Sequence, residues 1–410
     1  MRISTLSIYG NATSQLNTLQ SALARTQMQL STNRRILTPA DDPVASARAL
    51  EVSQSKAMNE GFASNRASAR SSLAAVEGAL QNAGNLLQDI QELAVKAGNG
   101  SMLPQDREAL AIELEGRLDD LLGVANTTDG AGGYLFSGYK ATTQPYTRTP
   151  TGADYQGDQG QRQLQVGASR KIPLSASGTA VFDANPTGNG AFQTQAGALN
   201  TGAAIISSGA VVDRDLVNDD LSYKLTFSVA PGTPPQTTYT VYDTTSGTDV
   251  ALATHTGIPY EDGKTISFGG LSFDIKGVPA NGDVFTAEPS KNKSVFETVT
   301  ELVAALRAPV DGSTGKAALT NRLNTAIDNL KGAHDNVLTV QASVGAHMKE
   351  LDYLDSAGDD LDIQYAATLG DLQDLDMVKA ISDFSMQQNT LQAAQMSFKT
   401  MSGLSLFNYL

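Results

Sequence analysis

Three histidines, at positions 255, 334 and 347, are the only imidazoles this chain offers for proton transfer or metal ligation. His334 and His347 stand thirteen residues apart on a strongly helical stretch, near or on its apolar stripe, where a polar residue commonly fixes coiled-coil register. His255 falls in a β-like region. Neither Cys nor Trp occurs, which removes disulfides, thiolate metal sites, cysteine nucleophiles and the indole platforms common in carbohydrate sites. Asp359-Asp360-Leu361-Asp362 offers carboxylates to a divalent cation but lacks the glycine turn and terminal glutamate of a calcium loop, so it reads as a solvated helix face. Asp154 to Gly160 has the composition of a single calcium-binding repeat; without periodic neighbours it reads as a turn. No glycine fingerprint for phosphates and no Gly-x-Ser-x-Gly elbow is present. No enzyme, cofactor or metal is therefore expected, and an enzyme built from Asp and Glu alone, such as a glycosidase, is the chemistry left open.

The elements that would position such residues are mostly helices. Tyr9, Ala12, Leu16, Leu19, Leu23, Thr26 and Leu30 alternate at spacings of three and four along one narrow stripe. At the other end Met377, Phe384, Leu391 and Phe398 follow a seven-residue repeat, with Ala380, Ala394 and Met401 three positions after members of it. A lone helix with so narrow a seam is marginal in water, because a packing partner supplies most of its stability. The two seams are expected to pair with each other or with neighbouring subunits, and both ends to be mobile in the free monomer. Leu16, Leu19, Leu23, Leu30, Met377, Phe384, Leu391 and Phe398 form the candidate assembly seam.

Between the first helix and the second, Leu37 to Pro43 reads as a joint. Pro39 biases Thr38 toward an extended backbone, and Asp42 can cap a new helix with Pro43 at its first position. Pro39, Asp41, Asp42 and Pro43 are the candidate hinge and cap residues. A strict four-three stripe through Ala69, Leu73, Val76, Leu80, Ala83, Leu87, Ile90, Ala94 and Ala97 then marks a rod over about 44 to 97, about 80 Å long at about 1.5 Å per residue. Pro104 opens a third helix whose seam runs through Leu114, Leu118, Leu121 and Ala125. From Gly130 the texture becomes β-like, with strand patterns at Arg162 to Val166, Leu221 to Val229, Thr238 to Tyr242 and Ile266 to Ile275, the last interrupted at Gly269-Gly270. Helical periodicity returns at Val295, breaks at Pro309 to Gly315 and continues to the end of the chain.

The expected fold class is mainly α with an inserted β-rich domain. N- and C-terminal segments form a long antiparallel helical rod or coiled-coil bundle. The expected divisions are 1–43 with 366–410 as terminal helices, 44–180 with 290–365 as the rod, and 181–289 as the insertion, so the termini meet at one end. No apolar run approaches the length of a membrane span, and the first residues lack a hydrophobic signal-peptide core. A formal charge of -14 disfavours nucleic acid. The charge is also polarised: residues 1–70 carry a net +4 and residues 351–410 a net -7, so the two ends can attract one another.

Leu30-Ser31-Thr32-Asn33-Arg34-Arg35-Ile36-Leu37-Thr38-Pro39-Ala40-Asp41-Asp42-Pro43 resembles the conserved N-terminal segment of the bacterial flagellin superfamily. Asn33 stands where that segment usually has glycine, and Arg34 where it has lysine. Ile90 to Gly100 is similar to a second flagellin stretch, with Asp89 and Gln91 at positions where flagellins commonly carry arginine. Tyr134-Leu135-Phe136-Ser137-Gly138-Tyr139, Thr143 to Tyr146 and the ending Ser405 to Leu410 look most like the hook-filament junction family within that superfamily.

The resemblance implies a secreted structural subunit of the bacterial flagellum that self-associates in a layer at the hook-filament junction and leaves the cell through the flagellar type III export channel. It implies hook-associated protein 1 as the partner on the hook side, flagellin on the filament side, and a cytosolic export chaperone for which Phe384, Leu391, Phe398 and Leu404 are the candidate contacts. Membrane insertion is not expected. Filament flagellin itself, or an adhesin or glycan-binding module seated in the β-domain, are the alternatives.

Overall fold

The computed structural model describes residues 5–130, 132–217, 220–232 and 235–403. Six helices, α1 (Thr5–Thr32), α2 (Pro43–Ala97), α3 (Pro104–Ala125), α4 (Val295–Arg307), α5 (Gly312–Gln373) and α6 (Met377–Gly403), bracket a β-rich middle. This is the mainly helical, β-inserted class expected from the sequence. Among the described residues no helix is long and apolar enough to cross a membrane. Leu404 and the ending Ser405 to Leu410 lie outside the described residues.

The chain divides into two compact units, one formed by Met1–Asn65 with Asp352–Leu410 and the other by Arg66–Leu351. The unit around the terminal helices thus takes in residues 44–65 and 352–365, which sequence patterning had grouped with the rod.

In the terminal unit α1 packs along α6. Leu16, Leu19, Leu23 and Leu30 are partly buried, as are Phe384, Leu391 and Phe398, and the Tyr9 ring meets Phe398 edge-on with centroids 6.0 Å apart. Ala45 and Ala49 of α2 are buried. Asn59 donates to the Gly358 carbonyl at 2.7 Å, and Lys56 lies 3.6 Å from Asp362, an ion pair between the basic and acidic ends of the sequence. Much apolar surface stays open here: Met28, Met58, Met377, Met386, Met396 and Met401 are all exposed, with Leu50, Val378 and Ile381. Helices whose apolar residues outnumber what one partner covers are built for further packing.

In the larger unit the stripe from Ala69 to Ala97 is buried throughout, and α3 packs on α4. The Arg307 guanidinium clamps the same pair, donating to Glu115 at 2.7 Å and to Glu108 at 3.1 Å. Phe136, Tyr146, Phe182 and Phe296 form an aromatic cluster with centroids 4.8 to 5.8 Å apart. Phe182, which the sequence division places at the start of the insertion, belongs by packing to this cluster. The hydroxyl of Tyr146 donates to Asp183 at 2.8 Å. Burial raises the pKa of both groups, because neither the phenolate nor the carboxylate is well solvated there.

The insertion is antiparallel. Its larger sheet runs Val250–Ala251, Gln236–Asp243, Tyr223–Ala230, Val284–Pro289, Phe192–Ala196 in spatial order, and its smaller one Thr265–Phe268, Leu271–Lys276, Ile205–Ile206. Tyr223, Leu225 and Phe227 alternate inward to share a core with Phe273, Ile275 and Phe285. Gly269 and Gly270 turn between strands with φ of +54° and +80°, a conformation costly for other residues.

Three asparagines of α5 hold the base of this domain. Asn321 accepts from the Ile206 amide and donates to the Ala204 carbonyl, both at 3.0 Å. Asn329 accepts from the Gly188 amide at 2.9 Å, and Asn336 donates to the Val181 carbonyl at 3.1 Å. Between them Gly332 lets the chain approach, since a Cβ there would stand 2.4 Å from the Pro186 oxygen.

Candidate assembly site at the joint and the paired terminal helices

α1 ends at Thr32 because the next residue reverses the backbone: Asn33 has φ +51°, the left-handed region that asparagine tolerates better than most residues. The substitution of the family's glycine thus preserves the turn. The Arg34 amide returns to the Gln29 carbonyl at 3.2 Å, and the Gln29 side chain donates to the Arg35 carbonyl at 2.6 Å.

Asp41 then gathers the loop. Its carboxylate accepts from the Leu37 amide at 3.0 Å, the Thr38 amide at 2.9 Å and the Arg25 guanidinium at 2.7 Å. The Thr38 amide does most to hold this carboxyl below its ordinary pKa, helped by Leu37 and the charge of Arg25. Asp42 caps α2 by accepting from the Ala45 amide at 3.0 Å, with Pro43 as the first helical residue. That amide, aided by Arg35, also lowers its pKa. Pro39 stays exposed within the turn.

The joint is tied to the second chain break. The Arg35 amide donates to the Gln373 carbonyl at 2.7 Å and the Leu375 amide to the Asn33 carbonyl at 3.3 Å, while the Arg35 guanidinium reaches the Leu372 carbonyl at 2.7 Å. Asp376 caps α6 through the Lys379 amide at 3.0 Å. The interruption between α5 and α6 therefore falls at residues 374–376, not near 366. Arg35 belongs to the flagellin-like segment, but nothing in its own neighbourhood signals that its guanidinium reaches a carbonyl 337 residues away.

Across the paired helices the contact stripe of α6 runs through Ala380, Phe384, Gln387, Leu391, Ala394 and Phe398. Met377, expected as its first member, is 40% exposed; α1 has ended at Thr32 and Leu375 meets Asn33, so no helical turn covers it. Gln387 was not singled out. It meets Thr26 across the stripe at 3.0 Å, and its heptad position between Phe384 and Leu391 was the available signal.

The residues first considered for chemistry have other partners. His334 lies 3.3 Å from the Gln88 amide, His347 lies 3.9 Å from Glu350, and His255 meets the Phe268 ring edge-on. Asp359 and Asp360 are exposed. Asp158 accepts from the amides of Tyr139, Lys140 and Gly160 at 2.7 to 3.0 Å, so it locks the Ser137-Gly138-Tyr139 turn. Among the described residues no three His, Asp or Glu side chains converge to hold a metal.

Terminal helices α1 and α6 that pair, with a capped Pro-Ala-Asp-Asp-Pro turn leading from α1 into α2, define a flagellin-type protein. The family model for the bacterial flagellin N-terminal helical region matches residues 3–141. Flagellar hook-associated protein 3 of Escherichia coli K12 is 28% identical over 408 residues, covering 99% of each chain. The crystal structure of the flagellar junction protein from Legionella pneumophila superposes with a TM-score of 0.71 at 34% identity, covering 80% of this chain and all of that one. Flagellin of Salmonella montevideo, also 28% identical, matches only 66% of this chain and 56% of its own length. This chain belongs to the flagellar hook-associated protein 3 family of the bacterial flagellin superfamily.

Proposed function

We propose that this chain is the structural subunit of the layer that joins the flagellar hook to the filament. Its copies self-associate in a ring outside the cell, seated on hook-associated protein 1 and receiving the first flagellin subunits. The observation that carries this reading is the terminal unit, where α1 and α6 cover one stripe of each other and leave Val378, Met386 and Met396 of α6 in solvent. Such surface is satisfied by neighbours, so assembly and the ordering of the ends are coupled. End-to-end similarity to hook-associated protein 3, against partial similarity to flagellin, supports the junction over the filament itself.

The subunit performs no reaction in this reading. Before export, a cytosolic chaperone covers the α6 stripe at Phe384, Leu391 and Phe398 and continues to Leu404. Deleting the gene tests the proposal: cells should lose swimming and release flagellin as monomer, and labelled antibody against the chain should mark the hook-filament boundary in wild-type cells. Normal filaments in the deletion strain would refute it.

A further inference from the structure

The joint borders an open groove of about 300 Å³ lined by Arg34, Ile36, Leu37, Pro39, Leu50 and Gln373. Leu50 is 71% exposed, and Arg34 makes no ion pair among the described residues. The groove therefore offers an apolar wall with a cation at its rim, although the backbone bridge of Arg34 to Asp374 of its own chain already brings one carboxyl-bearing residue beside it. A fitting occupant presents aliphatic side chains next to carboxylates.

The chain itself carries such a segment. Val378 and Ile381, 82% and 53% exposed, lie three residues apart on one face of the first turns of α6. Asp371, Asp374 and Asp376, all exposed, immediately precede them. The hydrogen bonds from Arg35 to Gln373 and from Leu375 to Asn33 put the groove and this segment at one height of the terminal unit. In a ring whose axis runs along the helices of the terminal unit, rotation keeps each copy at the same height, so each groove then stands level with the α6 start of its neighbour.

We propose that the groove beside the joint receives the first turns of α6 from a second copy of this chain, with Val378 and Ile381 against Leu50 and Ile36 and the Asp371 to Asp376 carboxylates facing Arg34. Contact of unlike patches is heterologous, the kind that closes into a ring. Charge complementarity between the basic start and the acidic end of the sequence, net +4 and net -7, sets the orientation. This inference rests on the ring reading above.

Because the chain has no cysteine, a chain carrying both Leu50→Cys and Val378→Cys introduces the only thiols. Mild oxidation of flagella assembled from this full-length chain should give disulfide-linked bands at multiples of the subunit mass. Flagella that contain the chain yet yield only uncross-linked or internally linked monomer, or links to another protein, overturn the docking and leave the junction role intact. Should the cysteine chain not assemble, an ion pair replaces it: Leu50→Lys or Val378→Glu alone should lower the number of flagellated cells about tenfold, by burying an unpaired charge, and the two together should restore it. A double variant no better than either single one overturns the docking.

Discussion

The hydroxyl of Thr26 donates to the side-chain oxygen of Gln387 at 3.0 Å, linking α1 to α6 through residues 361 positions apart in sequence. Thr26 is buried within an otherwise apolar stripe. A polar pair in such a seam disfavours slipped registers, because a slip leaves the Gln387 side chain facing apolar surroundings without its partner, while the Thr26 hydroxyl falls back on the Ala22 carbonyl of its own helix at 3.1 Å. Thr26→Ala should weaken the pairing by about 1 kcal/mol. Amide exchange in α1 and α6 would then speed up about fivefold, while α3 stays unchanged; equal exchange in both chains would show that the bond sets nothing.

Leu391 and Phe398 sit on the partly buried stripe of α6. Replacing both by Asp places charges against the apolar face of α1, where they are poorly solvated. The variant should fail to restore swimming to a deletion strain, yet keep the β-domain folded, because its core of Leu225, Phe227, Phe273 and Phe285 is independent of α6. Near-wild-type swimming would rule out a role for the stripe in assembly.

Asn33 in the left-handed region makes a second contrast. Asn33→Ala should cost about 1 kcal/mol of local stability and Asn33→Gly close to nothing. Limited proteolysis of residues 33–42 reads this out, with faster cleavage for alanine alone. Similar cleavage of both variants would mean that backbone strain is not what limits opening.

Asp41 and Asp42 are held below their ordinary pKa of 3.8 by backbone amides first and arginine second. A carboxyl whose pKa falls on folding stabilises the folded state at every pH above the unfolded value, and that contribution disappears as pH drops through the folded value. The joint should hold its tightness from neutrality down to about pH 4 and loosen below it. Protection of the Leu37 and Thr38 amides measures this. Asp41→Asn should lower protection already at neutral pH and flatten the acid dependence; an unchanged acid profile in that variant would clear Asp41 of the role.

Asn329 accepts from Gly188 and from the Gln193 side chain at 3.1 Å. Asn329→Ala leaves the half-buried Gly188 amide without its acceptor, a loss of about 1 kcal/mol. Exchange should accelerate in residues 187–196 before it does in the strand Tyr223–Ala230. Uniform acceleration across the β-domain would mean that the asparagine supports global folding rather than the attachment to α5.

Helix stripes were legible because their periodicity repeats over many turns: every residue read on the α2 stripe from Ala69 to Ala97 is buried. The capped turn at Asp42-Pro43 was legible from local chemistry. What stayed hidden depends on contacts between distant segments. Met377 continues a seven-residue repeat perfectly well, and only the end of α1 at Thr32 uncovers it. Gln387, Arg35 and the three asparagines of α5 act on partners 115 or more residues away, which no periodicity reveals. Phe182 stands at a change of composition, yet joins the aromatic cluster on the helical side of it.

Among the described residues, six methionines are exposed in the terminal unit. Thioethers conform to irregular partners, which suits the surface that the proposed layer would present to a different protein and to its own copies. They are also readily oxidised, and a sulfoxide is polar where the thioether was not. Oxidant reaching the free chain would therefore strike the surfaces needed for joining. If neighbours cover the same sulfurs in the proposed layer, incorporation itself would protect the subunit chemically.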